Sequence, residues 1–212
     1  MKIGVCIPCH ADHLYVLPNC IESIRQQTRA PDEVVVSVSS ATSCPDLPCT
    51  LLVRAEPACA GENRNIAARS IAESVDVLTF MDADDVMHPR RLEMIEKHFT
   101  DHPEMDYLLH SYMTNGVWTD ISGHVQINPI AGVRRVDGDV CGRMFGDNLP
   151  ALTGGHVTCR STAWMKNPML ERYGDGEDSE YTARAWEKGY TFGATPDVLS
   201  WYRRGHSIPF RA

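Results

Sequence analysis

The 212-residue sequence has no run of the ~18–20 consecutive apolar residues that a membrane span requires. It also lacks low-complexity tracts and long blocks of like charge, and so excludes general disorder. Basic residues are the minority, 20 Lys and Arg against 28 Asp and Glu, for a formal net charge of -8. No basic stripe is available to neutralise phosphates, which argues against a nucleic-acid partner. A small phosphorylated ligand is still compatible, because a bound divalent cation reverses the local field. Met1 to His10 is apolar for only a few residues before Pro8, Cys9 and His10 interrupt it. It has neither the long apolar core nor the cleavage site of a secretory signal, so the chain reads as cytoplasmic.

What is present is ordinary for a globular protein: 43% hydrophobic and 23% charged residues, enough to build a core. At this length, with no internal repeat and no linker-like stretch, one domain over 1–212 is expected. The eight cysteines are read as reduced thiols. Two spacings resemble zinc knuckles, Cys6-Ile7-Pro8-Cys9 and Cys44 with Cys49. The first closes an apolar strand and the second lies in a Pro-rich loop, so neither is read as a zinc site.

Hydrophobic patterning predicts an α/β fold. Strands are expected at Ile3 to Ile7, Val34 to Val38, Leu51 to Val53 and Val77 to Met81. Helices are expected around Leu14 to Ile24, from Gly61 to Ser74, and from His88 to His98, with Pro18 and Pro89 near helix starts. This alternation over residues 1–100 is the pattern of a mostly parallel sheet with helices on both faces. The second half, 101–212, is less regular. Strand-like pieces at Tyr107 to Met113, Val157 to Arg160 and Thr191 to Ala194 alternate with helices near Thr162 to Met169 and Ser179 to Lys188.

Four segments carry chemistry. Thr79-Phe80-Met81-Asp82-Ala83-Asp84-Asp85 runs an apolar strand straight into three carboxylates, which repel one another unless a cation holds them. Hard oxygen ligands beside a phosphate favour Mn2+ or Mg2+. The plain alternative is a solvated acidic turn capping the next helix. Gly174 to Asp178 enters a helix, where a carboxylate suits general-base work but also simple capping. Gly61-Glu62-Asn63-Arg64-Asn65 sets a guanidinium at a helix start for an anionic ligand, with Asn65 able to orient a carboxylate. Trp201 to Ser207 combines Arg203 and Arg204, suited to a pyrophosphate, with the metal-competent imidazole of His206.

Together these segments resemble the inverting family 2-type glycosyltransferases with a GT-A fold. The resemblance runs over most of the chain, and the order and spacing of the motifs carry it. It implies a Rossmann-like, mostly parallel sheet, with 1–100 as nucleotide-binding half and 101–212 as acceptor-binding half. It implies a UDP-sugar donor and a glycan or glycoprotein acceptor. Pro8, Cys9 and His10 then touch the nucleotide, as do Ser39, Arg64, Asn65, Asp82, Ala83, Arg203 and Arg204. Asp84 and His206 hold Mn2+ or Mg2+; Gly154, Gly155 and Glu177 face the acceptor; Asp178 is the catalytic base. The chain is short for the family, as expected of one domain of a larger polypeptide.

One departure is clear. The family carries Asp residues at the end of the second strand to recognise the base, and here the stretch is Ser37-Val38-Ser39-Ser40. A serine hydroxyl accepts a hydrogen bond from uracil more weakly than a carboxylate does. Two rival readings stand beside the resemblance. Asp82-Ala83-Asp84-Asp85-Val86 also fits the D-x-D-x-[TV] of haloacid-dehalogenase-like phosphatases, with Asp82 as nucleophile, Asp84 as acid/base and Lys166 as the lysine. That nucleophile, however, normally follows the first strand. The other rival is an inactive sugar-nucleotide-binding module. Trp118 and Phe145, in a stretch from Thr114 to Ala151 that shows little pattern, are read as plain core or loop anchors, with sugar stacking as the alternative.

Overall fold

The computed structural model describes residues 1–136, 139–145, 152–171 and 176–203, with Val136 and 139–145 described by their backbone alone. The first strand, β1 (Ile3–His10), is buried at every position but the last, as its unbroken apolar run demands of a strand covered on both faces. It pairs in parallel with β2 (Glu33–Ser39) on one side and β4 (Val77–Phe80) on the other, while β3 (Thr50–Val53) extends the sheet beyond β2.

Past β4 the sheet continues through β10 (Thr158–Arg160), β6 (Tyr107–Met113), β11 (Phe192–Trp201) and β5 (Val86–Met87). A short β7 (Gln126–Ile127) also pairs with β11, making nine strands in all among the described residues. The front is parallel as expected, but β10 runs antiparallel to both its neighbours, and β5 and β7 run antiparallel to β11. The mixed back of the sheet was not legible in the sequence. Nor were β8 (Ile130–Val136) and β9 (Asp139–Phe145), which form a separate two-stranded sheet within the Gly- and Asp-rich stretch.

Five helices cover the sheet. One face carries α1 (Leu17–Arg25), whose Pro18 sits in the first turn, and α3 (Arg91–Asp101). Their Leu17, Ile21, Ile24, Leu92, Ile95 and Phe99 bury against Ile3, Val5 and Ile7 of β1. The other face carries α2 (Ala60–Ile71), α4 (Ser161–Lys166) and α5 (Glu177–Glu187). Here Ala67, Ile71, Trp164 and Tyr181 pack with Cys6, Leu78, Phe80 and Tyr107. The period of two in β1 therefore sends Ile3, Val5 and Ile7 to one layer and Cys6 to the other. Each fully buried Ile, Leu or Phe contributes about 1.5–3 kcal/mol. The seven described cysteines are free, and burial pushes the thiols of Cys9 and Cys159 up to about 12, so they serve as core residues.

This topology fixes where a ligand sits. The chain steps outward from β1 to β2 to β3, then returns to pair β4 with the opposite edge of β1. The crevice beyond the carboxyl ends of β1 and β4 is thus a topological switch point, the usual ligand site of such sheets.

Candidate active site

The acidic turn leaves β4 directly into that crevice. Met81 N–H donates to Cys6 O, and the Asp85 N–H closes the turn onto Asp82 O at 3.2 Å. Arg64, on the first turns of α2, reaches across with both amino groups. Nη2 donates to Asp82 Oδ1 at 2.6 Å and Nη1 to Glu177 Oε1 at 2.7 Å. One buried guanidinium, 4% exposed, thereby joins α2, the end of β4 and the start of α5.

Gly155 explains how these groups come so close. A Cβ there would lie 3.1 Å from Asp82 Oδ2, 3.2 Å from Arg64 Nη2 and 3.3 Å from the Tyr202 hydroxyl. The next residue, His156, is fully buried, with Nε2 3.1 Å from Asp85 Oδ2 and 3.5 Å from Asp82 Oδ2. Those are ion-pair distances, yet neither ring nitrogen makes a hydrogen bond of good geometry. Tyr202 stacks on the imidazole, ring centroids 4.7 Å apart and 9° from parallel, and its hydroxyl meets Thr153 Oγ1 at 2.7 Å. Arg203 then straps the turn from above, its N–H on Asp85 Oδ1 at 2.8 Å and its Nε on Asp84 O at 2.5 Å.

The three acids are compensated unequally. Burial would raise the Asp82 carboxyl, but Arg64 and His156 outweigh it and hold it well below the usual carboxylate range. For His156 burial opposes the charged ring, and the carboxylates of Asp82 and Asp85 outweigh burial and raise it. Asp84 is compensated least: burial raises its carboxyl, the charges of Asp85 and Asp82 raise it further, and His13 lowers it only in part. The site therefore carries an excess negative charge that a cation would relieve. The donor set fits a hard divalent cation. Asp82, Asp85 and His156 offer one ligand atom each, all within 4.8 Å of one another, and His156 holds an unsatisfied buried nitrogen there. His156 was not singled out in the sequence. Its only signal was its place immediately after Gly154-Gly155.

Of the other expected site residues, Pro8, Cys9 and Ser39 end the strands at the crevice, all buried, and His10 is half-exposed there with Nδ1 accepting Asp12 N–H. Ser39 is already engaged, its Oγ accepting from Asn63 Nδ2 at 2.9 Å, while Asn63 Oδ1 accepts from Ser37 Oγ at 2.9 Å. Asn63 thus fills the gap at the end of β2 that the missing acids leave. Ala83 is 1% exposed. Gly154 O accepts the Val157 N–H and so shapes the loop that presents Gly155.

Three of the expected residues have partners within the protein. Asn65 does not face the nucleotide crevice's polar groups: its Nδ2 donates to Met169 O and Glu171 Oε1, and its Oδ1 accepts Met169 N–H. It is fully buried and pins the 169–171 segment, because Gly61 lets Leu170 approach α2. Glu177 does not stand open to an acceptor but pairs with Arg64. Arg64, in turn, directs Nη1 and Nη2 to two carboxylates and leaves Nε without a partner. Asp178 begins α5 beside them, its Oδ1 accepting Ser179 N–H at 2.6 Å, and its charge acts on both Arg64 and Tyr202. Trp118 packs edge-on against His88, as a loop anchor. Arg204 and His206 lie outside the described residues, as do Gly174, Asp175 and the side chain of Phe145.

The comparisons with known proteins bear on the family and the fold. The family model for glycosyl transferase family 2 matches residues 4–173. The chain belongs to that family, and its mixed α/β sheet is the GT-A glycosyltransferase fold. Among solved structures it is similar to TarS of S. aureus. It matches TarS residues 1–349 with UDP at a TM-score of 0.71 and 16% identity, covering 96% of this chain and 60% of that one. The same TarS segment with UDP-GlcNAc matches at 0.71 and 16% identity, covering 98% and 60%. The longer TarS structure matches at 0.68 and 16%, covering 96% of this chain and 37% of that one. The chain thus spans about 60% of the TarS segment it resembles. A search of curated proteins returned no match. Among the described residues no helix is long and apolar enough to cross a membrane.

Proposed function

We propose that this chain transfers a sugar from a UDP-sugar to a hydroxyl of a glycan or glycoprotein acceptor, with inversion, using Mn2+ or Mg2+. The observation that carries the reading is the bridge from Asp82 through Arg64 to Glu177, which sets the acidic turn beside the start of α5. Asp178 follows Glu177 directly, so a base and a donor site share one crevice. The UDP moieties bound to TarS support a uridine donor here. The family membership leaves the phosphatase reading without support, and in our reading Asp82 pairs with Arg64 and supports the cation rather than acting as a nucleophile.

In this reading Asp84, whose carboxyl is raised by burial and by the charges of Asp85 and Asp82, holds the cation, with the Asp82, Asp85 and His156 atoms as the neighbouring donors. Bound there, a divalent ion neutralises the charge developing on the diphosphate leaving group. Arg203, strapped over Asp84 and Asp85, contributes its own charge to the same face, with Arg204 next to it in sequence. Asp178 accepts the proton of the acceptor hydroxyl as its oxygen attacks the anomeric carbon from the side opposite the diphosphate. Residues 1–100 act as the nucleotide half and 101–212 as the acceptor-binding and catalytic-base half of a single domain.

The direct test is thermal unfolding with UDP, GDP or no nucleotide, each with and without Mn2+. At ligand about 100 times its dissociation constant, binding adds roughly 2.7 kcal/mol, which raises Tm by several degrees. A rise that needs both UDP and Mn2+, and that vanishes in Asp84→Ala, is the expected result. A UDP response that is unchanged in Asp84→Ala would move the cation to the Asp82–Asp85–His156 group. No response to any nucleotide would overturn the reading.

A further inference from the structure

Arg91 is a fully buried cation with no carboxylate partner. It opens α3, is 0% exposed, and directs its hydrogen bonds to uncharged atoms. Nη2 donates to Thr79 Oγ1 at 2.8 Å, Phe80 O at 2.9 Å and His156 O at 2.7 Å. Nη1 lies 3.1 Å from Ser200 Oγ and 3.2 Å from Met81 Sδ, and Nε is left without a partner. An isolated charge in a core is costly and is ordinarily replaced by an apolar residue unless something requires it. Burial pulls this guanidinium down to about 9, against the raising influence of Tyr202, Asp82 and Asp85.

The partners show what the charge is for. Thr79, Phe80 and Met81 are the last residues before Asp82. The His156 carbonyl belongs to the residue whose ring meets Asp82 and Asp85. Ser200 is two residues before Tyr202, which stacks on that ring, and three before Arg203, which straps the turn. One planar fork thus holds the three segments that assemble the acidic cluster, from the layer beneath it. It also places a positive charge near the carboxylates of Asp82 and Asp85 without occupying any of their oxygens.

We infer that Arg91 is a positioning residue for the acidic cluster, fixing the end of β4, the His156 loop and the end of β11 in one register. The inference rests on the transferase reading only for its effect on turnover. A lysine keeps the charge but, as a point donor, cannot span three segments. A methionine keeps most of the volume and loses both properties.

The test uses Arg91→Lys and Arg91→Met in the full chain, followed by amide hydrogen exchange. Phe80 N–H bonds to Val157 O, Val157 N–H to Gly154 O, and Arg203 N–H to Asp85 Oδ1, so these three amides report the register directly. Expected in both variants is exchange faster by about tenfold or more at these amides, with the β1–β2 amides of Val36 and Val38 unchanged. If the transferase reading holds, kcat falls by about 10²-fold while the donor KM moves little, as for a misplacement of the reacting groups. Acceleration spread evenly over the sheet, with wild-type kcat per folded molecule, would make Arg91 merely structural and overturn the inference. So would wild-type local exchange in Arg91→Lys, because the fork would then be unnecessary. If Arg91→Met does not fold, Arg91→Lys alone decides. Failure of the wild type to bind UDP would overturn the transferase reading and leave the exchange result standing.

Discussion

Replacing Arg64 with methionine should destabilise the protein strongly, because two carboxylates depend on one guanidinium. Arg64 is 4% exposed, and the side chains of Asp82 and Glu177 are 24% and 17% exposed, so solvent screens neither pair well. Breaking a buried pair by deleting one member costs about 3–5 kcal/mol, because the remaining charge is left uncompensated. For a chain of 150–250 residues this corresponds to a Tm lower by roughly 6–20 °C. The assay is calorimetry or circular dichroism across pH. Asp82 is held below its ordinary value in the folded protein, so its stabilising contribution is complete above the unfolded value of about 3.9. That contribution fades as pH falls toward the depressed folded value. The gap between wild type and Arg64→Met should therefore be widest near neutrality and narrow below about pH 4. Adding Asp82→Asn to Arg64→Met removes the stranded charge and should recover part of the loss. A Tm drop under about 2 °C, a gap that does not narrow in acid, or a double variant no better than the single would refute the charge-bridge argument.

Two further outcomes follow from the same geometry. Asp178→Asn should lower transferase turnover by about 10²–10⁴-fold while UDP binding, read as a thermal shift, stays unchanged; near-wild-type turnover would remove Asp178 from the base role. Gly61→Ala places a Cβ 2.3 Å from the Leu170 carbonyl oxygen, a backbone atom that cannot swing aside. It should cost about 1–3 kcal/mol in chemical denaturation and expose the 169–171 segment to protease, and unchanged stability would mean that α2 and Leu170 are not packed as described.

Much of this protein was legible in residue order. The apolar run of β1 and the β-branched run of β2 announce buried parallel strands, because strands covered on both faces need no polar alternation. Pro18 and the spacing of Leu17, Ile21 and Ile24 locate α1. The acid string after Phe80 marks the acidic end of the sheet, since three carboxylates following an apolar strand repel one another unless cations hold them. Local pattern and local charge were sufficient for each of these.

Contacts distant in sequence were not legible. Whether Arg64 faces a ligand or a carboxylate depends on Glu177, 113 residues away, and no local pattern encodes that distance. His156 looks like any histidine after two glycines until the fold sets it against Asp82 and Asp85. Asn65 reads like an active-site amide until Met169 claims both ends of it. Arg91 shows no periodicity error, since a first-turn arginine is ordinary. The sequence alone determined the parallel front strands, the helices between them and the acidic end of the sheet, because hydrophobic period and repulsion act over a few residues. Only the tertiary structure decided which charge meets which, because Coulomb energy and desolvation depend on where the completed sheet buries each group.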